Sequence, residues 1–363
     1  MRRSPPASYR SARGSGSFRL GHRPLVAAVA LVAGGLCAEA RALAATDCEP
    51  SNGVSPCIDS NNLWIAPGTA RFVSIAATDN VALHASAFAF ALSYLDRPIV
   101  LRAPSPDPDG RDINVVRRVL DGTALWAYSP LPRLELGFAL PIALYQNGSG
   151  VEGISDQQGR ALNRTAIRDP RIGGALQLLS PATAGFGAKA RLEVSLPAGD
   201  QDLLAGERSV VAAPSVAFEL VRGRFASGLE LGTRLRETRR FAGARLGSQL
   251  AGAAGASVEL LPEELLAVGS ELRALPTLAS QEHTRPNGAR VRNGRLVPAE
   301  WLVSLRSKPA GSFVLQLAGA LGVPLSSAEH EEPDGSFETE HFAGVTTPRF
   351  RIVFVVRYAP VAD

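Results

Sequence analysis

Lys189, Arg191 and Glu193 occupy every second position of the run Phe186–Leu196, between Ala188, Ala190, Leu192 and Val194. In an extended chain successive side chains point to opposite faces, so the three charges share one face and the apolar residues the other. The same arrangement puts Arg133 and Glu135 opposite Leu134, Leu136, Phe138, Leu140, Ile142 and Leu144. It recurs at Glu219, at Glu230, Arg234 and Arg236, at Glu259 and Arg306, and at Arg349, Arg351 and Arg357 opposite Phe350, Ile352, Phe354, Val356 and Tyr358. Rows of charges of both signs can pair with one another and stiffen a wall, or they can line a narrow aqueous path and set its selectivity.

Covalent chemistry finds little support. The histidines past the leader are His84, His283, His330 and His341. None stands mid-strand beside a serine, and no G-x-S-x-G elbow occurs, so a serine hydrolase of the outer-membrane phospholipase type ranks last. His330 and His341 near Glu331, Glu332 and Glu340 read as a solvated acidic loop rather than a metal site. Asp107-Pro108-Asp109-Gly110 reads as a turn, since the trailing ligands of a calcium loop are missing. No catalytic residue, metal or cofactor is expected.

The elements that must position the charges are strands. Alternating runs fall at Ser86–Leu95, Val115–Tyr128, Arg133–Tyr145, Ile172–Leu179, Phe186–Leu196, Val210–Val221, Phe225–Arg236, Leu246–Leu260, Leu265–Leu275, Trp301–Arg306, Ser312–Gly322 and Pro348–Tyr358. A helix over Leu246–Leu275 is disfavoured by Gly247, Gly252, Gly255 and Gly269, each costing about 1 kcal/mol relative to Ala, though a helical turn near Pro262–Leu266 fits. Short links (129–132, 180–185, 222–224, 261–264, 307–311) alternate with long ones (96–114, 146–171, 197–209, 276–300, 323–347), and 237–245 is intermediate. Many runs exceed the globular mode of about five or six residues, and the charged faces are otherwise rich in Gly, Ala and Ser. These features favour an all-β, up-and-down transmembrane barrel of about twelve antiparallel strands over a secreted β-sandwich. An even strand count with tight periplasmic turns puts both termini in the periplasm and the long loops outside the cell.

The leader fits that location. Arg2, Arg3, Arg10, Arg13, Arg19 and Arg23 precede an apolar run from Leu25 to Cys37, and Ala42-Leu43-Ala44 suits cleavage. Residues 1–45 therefore read as a signal peptide, too short in its apolar part to anchor. Of 38 basic and 34 acidic residues, seven Arg and one Glu lie in 1–44, leaving 31 and 33. The mature chain is thus near −2, and the pI of 9.2 gives no support for a nucleic-acid partner. Residues 46–83 form a periplasmic or lumen-tucked segment, in which Cys48 and Cys57 are spaced for one disulfide. Residues 84–363 make the barrel, whose partners would be outer-membrane lipid and the barrel-assembly machinery.

Several strand-end motifs carry a family resemblance. They are Arg133-Leu134-Glu135-Leu136, Leu140-Pro141, Leu144-Tyr145-Gln146, Leu196-Pro197-Ala198-Gly199-Asp200 and the closing Pro348-Arg349-Phe350-Arg351 with Arg357-Tyr358-Ala359-Pro360. Over roughly residues 55–360 the chain resembles myxobacterial-type outer-membrane barrels, which often precede an OmpA-type peptidoglycan-binding domain. Transporter-like barrels for hydrophobic compounds share the look. The resemblance implies fold and location rather than a reaction, and cell-wall anchoring is not expected of a chain ending at Asp363.

The expected function is a passive channel or transport-type barrel for small solutes, including hydrophobic ones. The alternative is a structural or interaction protein with a closed lumen. The candidate lumen charges are Glu135, Lys189, Arg191, Glu193, Glu230, Arg234 and Arg351. If the apolar faces meet lipid, Leu136→Arg should damage assembly, and Glu135→Arg should be far better tolerated.

Overall fold

The computed structural model describes Cys48 and residues 55–103, 111–151, 162–181, 185–241, 244–279, 281–284, 290–292, 296–331, 337–342 and 345–360. The proposed signal peptide lies outside the described residues. No helix among the described residues is long and apolar enough to cross a membrane.

Twelve strands carry the wall: β1 (Ser86–Ala103), β2 (Arg111–Leu131), β3 (Leu134–Gly148), β4 (Arg171–Leu179), β5 (Phe186–Ser195), β6 (Val211–Arg222), β7 (Phe225–Arg234), β8 (Gln249–Leu261), β9 (Leu266–Ala274), β10 (Ala299–Ala310), β11 (Phe313–Gly322) and β12 (Phe350–Tyr358). Each pairs antiparallel with its neighbours in sequence. The sheet closes where β1 meets β12, with Phe88 opposite Tyr358 and Asp96 opposite Phe350. Closure leaves the wall no unpaired edge, as crossing a bilayer requires.

Every alternating run of the sequence falls on one of these strands, within a few residues at the ends. The exception is the link 96–114, which is mostly wall. A register shift between Asp96 and Ile99, at Pro98, interrupts the alternation, yet pairing resumes through Ala103 opposite Arg111. The helical turn near Pro262 is a 3-10 turn, Pro262–Glu264.

Short turns gather at one end of the barrel, where Gly223 and Gly311 take positive φ in two-residue connections. The other rim carries the long links. Two of these, and the intermediate link, fold back as small ribbons: Glu282–Thr284 with Arg290–Arg292, Ser326–Glu331 with Phe337–Phe342, and Arg239–Phe241 with Ala244–Leu246.

Burial separates the two faces of the wall. Leu136, Leu192, Leu231, Leu272, Leu317 and Phe354 are exposed outward, forming a belt around the barrel. The intervening Ala139, Lys189, Glu193, Glu271, Ala318 and Val355 are buried inward. An exposed apolar belt of this extent marks a surface made for lipid.

The interior is not empty. Residues 58–81 run through it, hydrogen-bonded to strands on all sides. The upper end of this plug meets the long-loop rim, where the Ser55 N–H donates to the Arg240 carbonyl and the Ser60 N–H to the Leu204 carbonyl. Its lower end leaves at the short-turn end, where the Ala82 N–H donates to the Pro360 carbonyl and the His84 N–H to the Ser129 carbonyl. The segment is therefore lumenal, and the disulfide between Cys48 and Cys57, Cα atoms 5.4 Å apart, lies at the long-loop rim. β1 begins at the short-turn side, and the described chain before it runs back through the barrel to the long-loop rim.

Small inward residues make the space. Phe72 and Ile75 pack on Ala253, and Ala66 and Ala76 on Ala217. A Cβ on Gly137 would stand 2.6 Å from Pro67, and one on Gly228 would stand 2.7 Å from Phe72. Over the far rim Ile58 joins Val151, Leu162, Leu203, Phe241 and Leu246 in an apolar cap.

Candidate functional site

The inward charges are built around the plug. Glu271 of β9 accepts hydrogen bonds from the Val73 N–H at 2.8 Å, and from the Ser74 N–H and hydroxyl at 2.7 Å. Glu230 of β7 takes the Ala76 N–H at 2.8 Å, Glu219 of β6 the Thr78 N–H at 2.7 Å, and Glu135 of β3 the Val81 N–H at 3.0 Å. Four wall carboxylates thus meet successive backbone donors of one irregular segment. Such a segment has no ladder partners of its own, so buried N–H groups need acceptors from elsewhere.

Cations hold the plug's carbonyls. Arg357 donates to the Ala66 and Gly68 carbonyls, Lys189 to that of Asp79 at 2.9 Å, and Arg273 to that of Asn62 at 2.7 Å. Glu300 bridges Arg273 at 3.0 Å and Arg351 at 2.8 Å, while Arg351 also reaches Asn61. Arg168 joins Asp59 of the plug to Asp121 of β2. Near the short-turn end, Arg71 of the plug meets Glu264 at 2.5 Å. Burial would raise the Glu264 carboxyl, but Arg306 and Arg71 outweigh it and hold it down to about 2.

The structure places the seven candidate lumen charges as follows. Glu135, Lys189, Glu193, Arg234 and Arg351 are buried, and Arg191 and Glu230 are half-buried. Lys189 pairs with Glu135 at 3.4 Å, and Arg191 pairs with Glu230 and Glu193. Arg133 and Arg349 are exposed at the two ends of the wall. The expected tolerance of Glu135→Arg is overturned. A cation there would face Lys189 and leave the Val81 N–H without its acceptor, so the inner face is as demanding as the outer one.

Sequence reading missed Asp121, Arg168, Glu271, Arg273 and Glu300. Glu271 and Arg273 flank the exposed Leu272, so strict alternation through Leu265–Leu275 points to both. Arg168 lies in a link and has no periodic signal. Among the described residues no group of His, Cys, Asp and Glu could hold a metal, and the His283, His330 and His341 side chains lie outside the described residues.

Cavities between plug and wall are small. One of about 70 Å³ is lined by Trp64 and Ser74 of the plug with Arg191, Glu230, Arg234 and Arg273 of the wall. Trp64 lies between two guanidinium groups, with Arg171 4.9 Å and Arg234 4.3 Å from the ring centre. The arrangement can hold a few waters.

A closed wall of twelve antiparallel strands, apolar outside and polar within, is an outer-membrane-type β-barrel. The fold is similar to that of the COG4313 outer membrane channel from Pseudomonas putida F1, with a TM-score of 0.52 and 13% identity over 77% of this chain and 97% of that one. Looser likenesses include the TodX monoaromatic hydrocarbon channel, as a deltaS2 mutant (TM-score 0.40, 10% identity, 78% and 91% of the two chains). Another is a Pseudomonas aeruginosa FadL homologue (TM-score 0.37, 11% identity, 83% and 96%). At these identities the likeness is one of fold. No family model matches the sequence, and no curated protein matches it.

Proposed function

We propose that this protein is a channel-type barrel of the outer membrane, exported through residues 1–45, which passes small solutes along a polar path beside its internal plug. The observation that carries the reading is the use of the inner charges. Glu135, Glu219, Glu230 and Glu271 do not only pair strand with strand; they also accept hydrogen bonds from the backbone of a separate segment that fills the lumen. A barrel serving only as a wall can fill its interior with side chains of its own, whereas a segment held by polar groups can shift without breaking the wall. Assembly would use the amphipathic closing strand Phe350–Tyr358, and lipid would meet the Leu and Phe belt. Kinship with the myxobacterial-type barrels rests on the strand-end motifs and implies the same compartment.

A closed structural barrel is the second reading, favoured by the small cavities and the apolar cap. Planar-bilayer recording on the mature protein separates them. Discrete current steps, longer or larger in a Glu230→Ala/Glu271→Ala variant that loosens the plug, are expected of the channel. Silence from both proteins, each confirmed as folded, refutes it and leaves the closed barrel.

A further inference from the structure

Among the described residues, the buried guanidinium groups of this lumen meet a carboxylate or, for Arg357, two backbone carbonyls, and Arg234 meets neither. Arg171 meets Glu193 at 2.9 Å, Arg191 meets Glu230 at 2.9 Å, Arg236 meets Glu207, and Arg273 meets Glu300 at 3.0 Å. Arg234, at the end of β7, is 8% exposed and makes no side-chain hydrogen bond or ion pair with any described residue. Its one contact of note is with the face of Trp64. It borders both the 70 Å³ cavity and the smaller one beside Asn61 and Thr346.

Nearby carboxylates do not compensate it, because each has other partners. Glu193 is engaged by Arg171 and Arg191, and Glu230 by Arg191, the Ser215 hydroxyl and the Ala76 N–H. Glu207 is engaged by Arg236 and Asp59 by Arg168. A buried cation with donors and no acceptor is costly unless something anionic arrives. The cavity beside it has room for about five waters, at roughly 10–15 Å³ each, and therefore for an anion of a few heavy atoms.

We propose that Arg234, with Trp64 as its floor and Arg273 two strands along the same wall, is a binding site for a small monovalent oxyanion, with a carboxylate as the ligand. The planar fork of Arg234 matches the two oxygens of a carboxylate. The Arg234 guanidinium lies 4.3 Å from the centre of the Trp64 ring, and the plug brings Trp64 there. Resting on the channel reading, the site would make such anions the favoured cargo. Binding itself does not require passage.

The test uses the full mature chain, folded in detergent, carrying Trp126→Phe and Trp301→Phe so that Trp64 is the sole tryptophan. Iodide, caesium and acrylamide serve as quenchers at constant ionic strength, and formate as competitor. Expected are saturable quenching by iodide alone and its relief by formate. Arg234→Gln should weaken iodide binding about tenfold or more, the loss of one charge-assisted contact, and Arg234→Lys should restore part of it. Linear iodide quenching that Arg234→Gln leaves unchanged overturns the site. Relief by inorganic phosphate but not formate overturns the carboxylate assignment. In bilayers the anion preference read from the reversal potential should fall in Arg234→Gln. Saturable quenching without any conductance keeps the site and refutes the channel. Conductance with linear quenching keeps the channel and refutes the site.

Discussion

Removing Glu271 should release the middle of the plug while leaving the wall standing. This carboxylate is 1% exposed and accepts three hydrogen bonds at 2.7–2.8 Å from Val73 and Ser74, two of them from backbone N–H groups. Hydrogen bonds to a charged group contribute about 1.5–3 kcal/mol each, and a buried donor left unsatisfied costs about 1–3 kcal/mol. Counting only its two backbone donors, Glu271→Ala should therefore destabilise this part of the plug by about 3–6 kcal/mol, before water is considered. Ser74 borders the 70 Å³ cavity, so water can reach the orphaned donors and move the effect toward the lower end. At about tenfold per 1.4 kcal/mol, amide exchange at Val73 and Ser74 should accelerate roughly a hundredfold. Hydrogen exchange read by mass spectrometry over residues 70–78 measures this. The heat-dependent gel shift of a folded barrel checks the wall in the same sample. Unchanged exchange in a folded Glu271→Ala barrel would refute the anchoring argument. Loss of the gel shift would show instead that Glu271 holds the wall.

Three more outcomes follow from the geometry. Leu136→Arg puts a charge on the exposed belt, at a cost of about 2–4 kcal/mol near the bilayer midplane, and should lower the yield of heat-shiftable barrel; normal yield would place that face away from lipid. Gly228→Leu places its Cβ about where Phe72 lies, so protection of residues 70–76 should be lost while the barrel still forms, and retained protection would refute the close approach. The Asp169 carboxyl, outside the wall strands, accepts the Gly199 and Glu207 N–H groups at 2.7 Å, and burial pushes it up to about 7 despite them. Between its ordinary value and about 7 the folded chain holds a proton that the unfolded chain has released, so this loop is more stable at pH 5 than at pH 8. Exchange at Gly199 and Glu207, corrected for intrinsic rate, should rise across that window and flatten in Asp169→Asn; a flat wild-type profile would refute the assignment.

The wall was readable because strand alternation is a local rule. Leu134 to Leu144 and Phe350 to Tyr358 announce their outer faces without reference to any other part of the chain. The same rule, followed through Leu272, would have marked Glu271 and Arg273. It failed at Pro98, where a register shift hides the continuation of β1. It could not reach Arg168, whose position in a link has no period.

By itself the sequence determined the strand count, the lipid-facing residues and the alternation of short and long connections. Each follows from backbone geometry within a few residues of a given position. Only the tertiary structure decided that residues 58–81 fill the lumen, that Cys48 and Cys57 lie at the long-loop rim, and that Arg234 is left unpaired. Those facts depend on contacts such as Val81 with Glu135, 54 residues apart, and Ala66 with Arg357, 291 apart. Inner-face charges have the same periodicity whether they meet water, each other or a threaded segment; which they meet is set by the closed barrel that brings them around it.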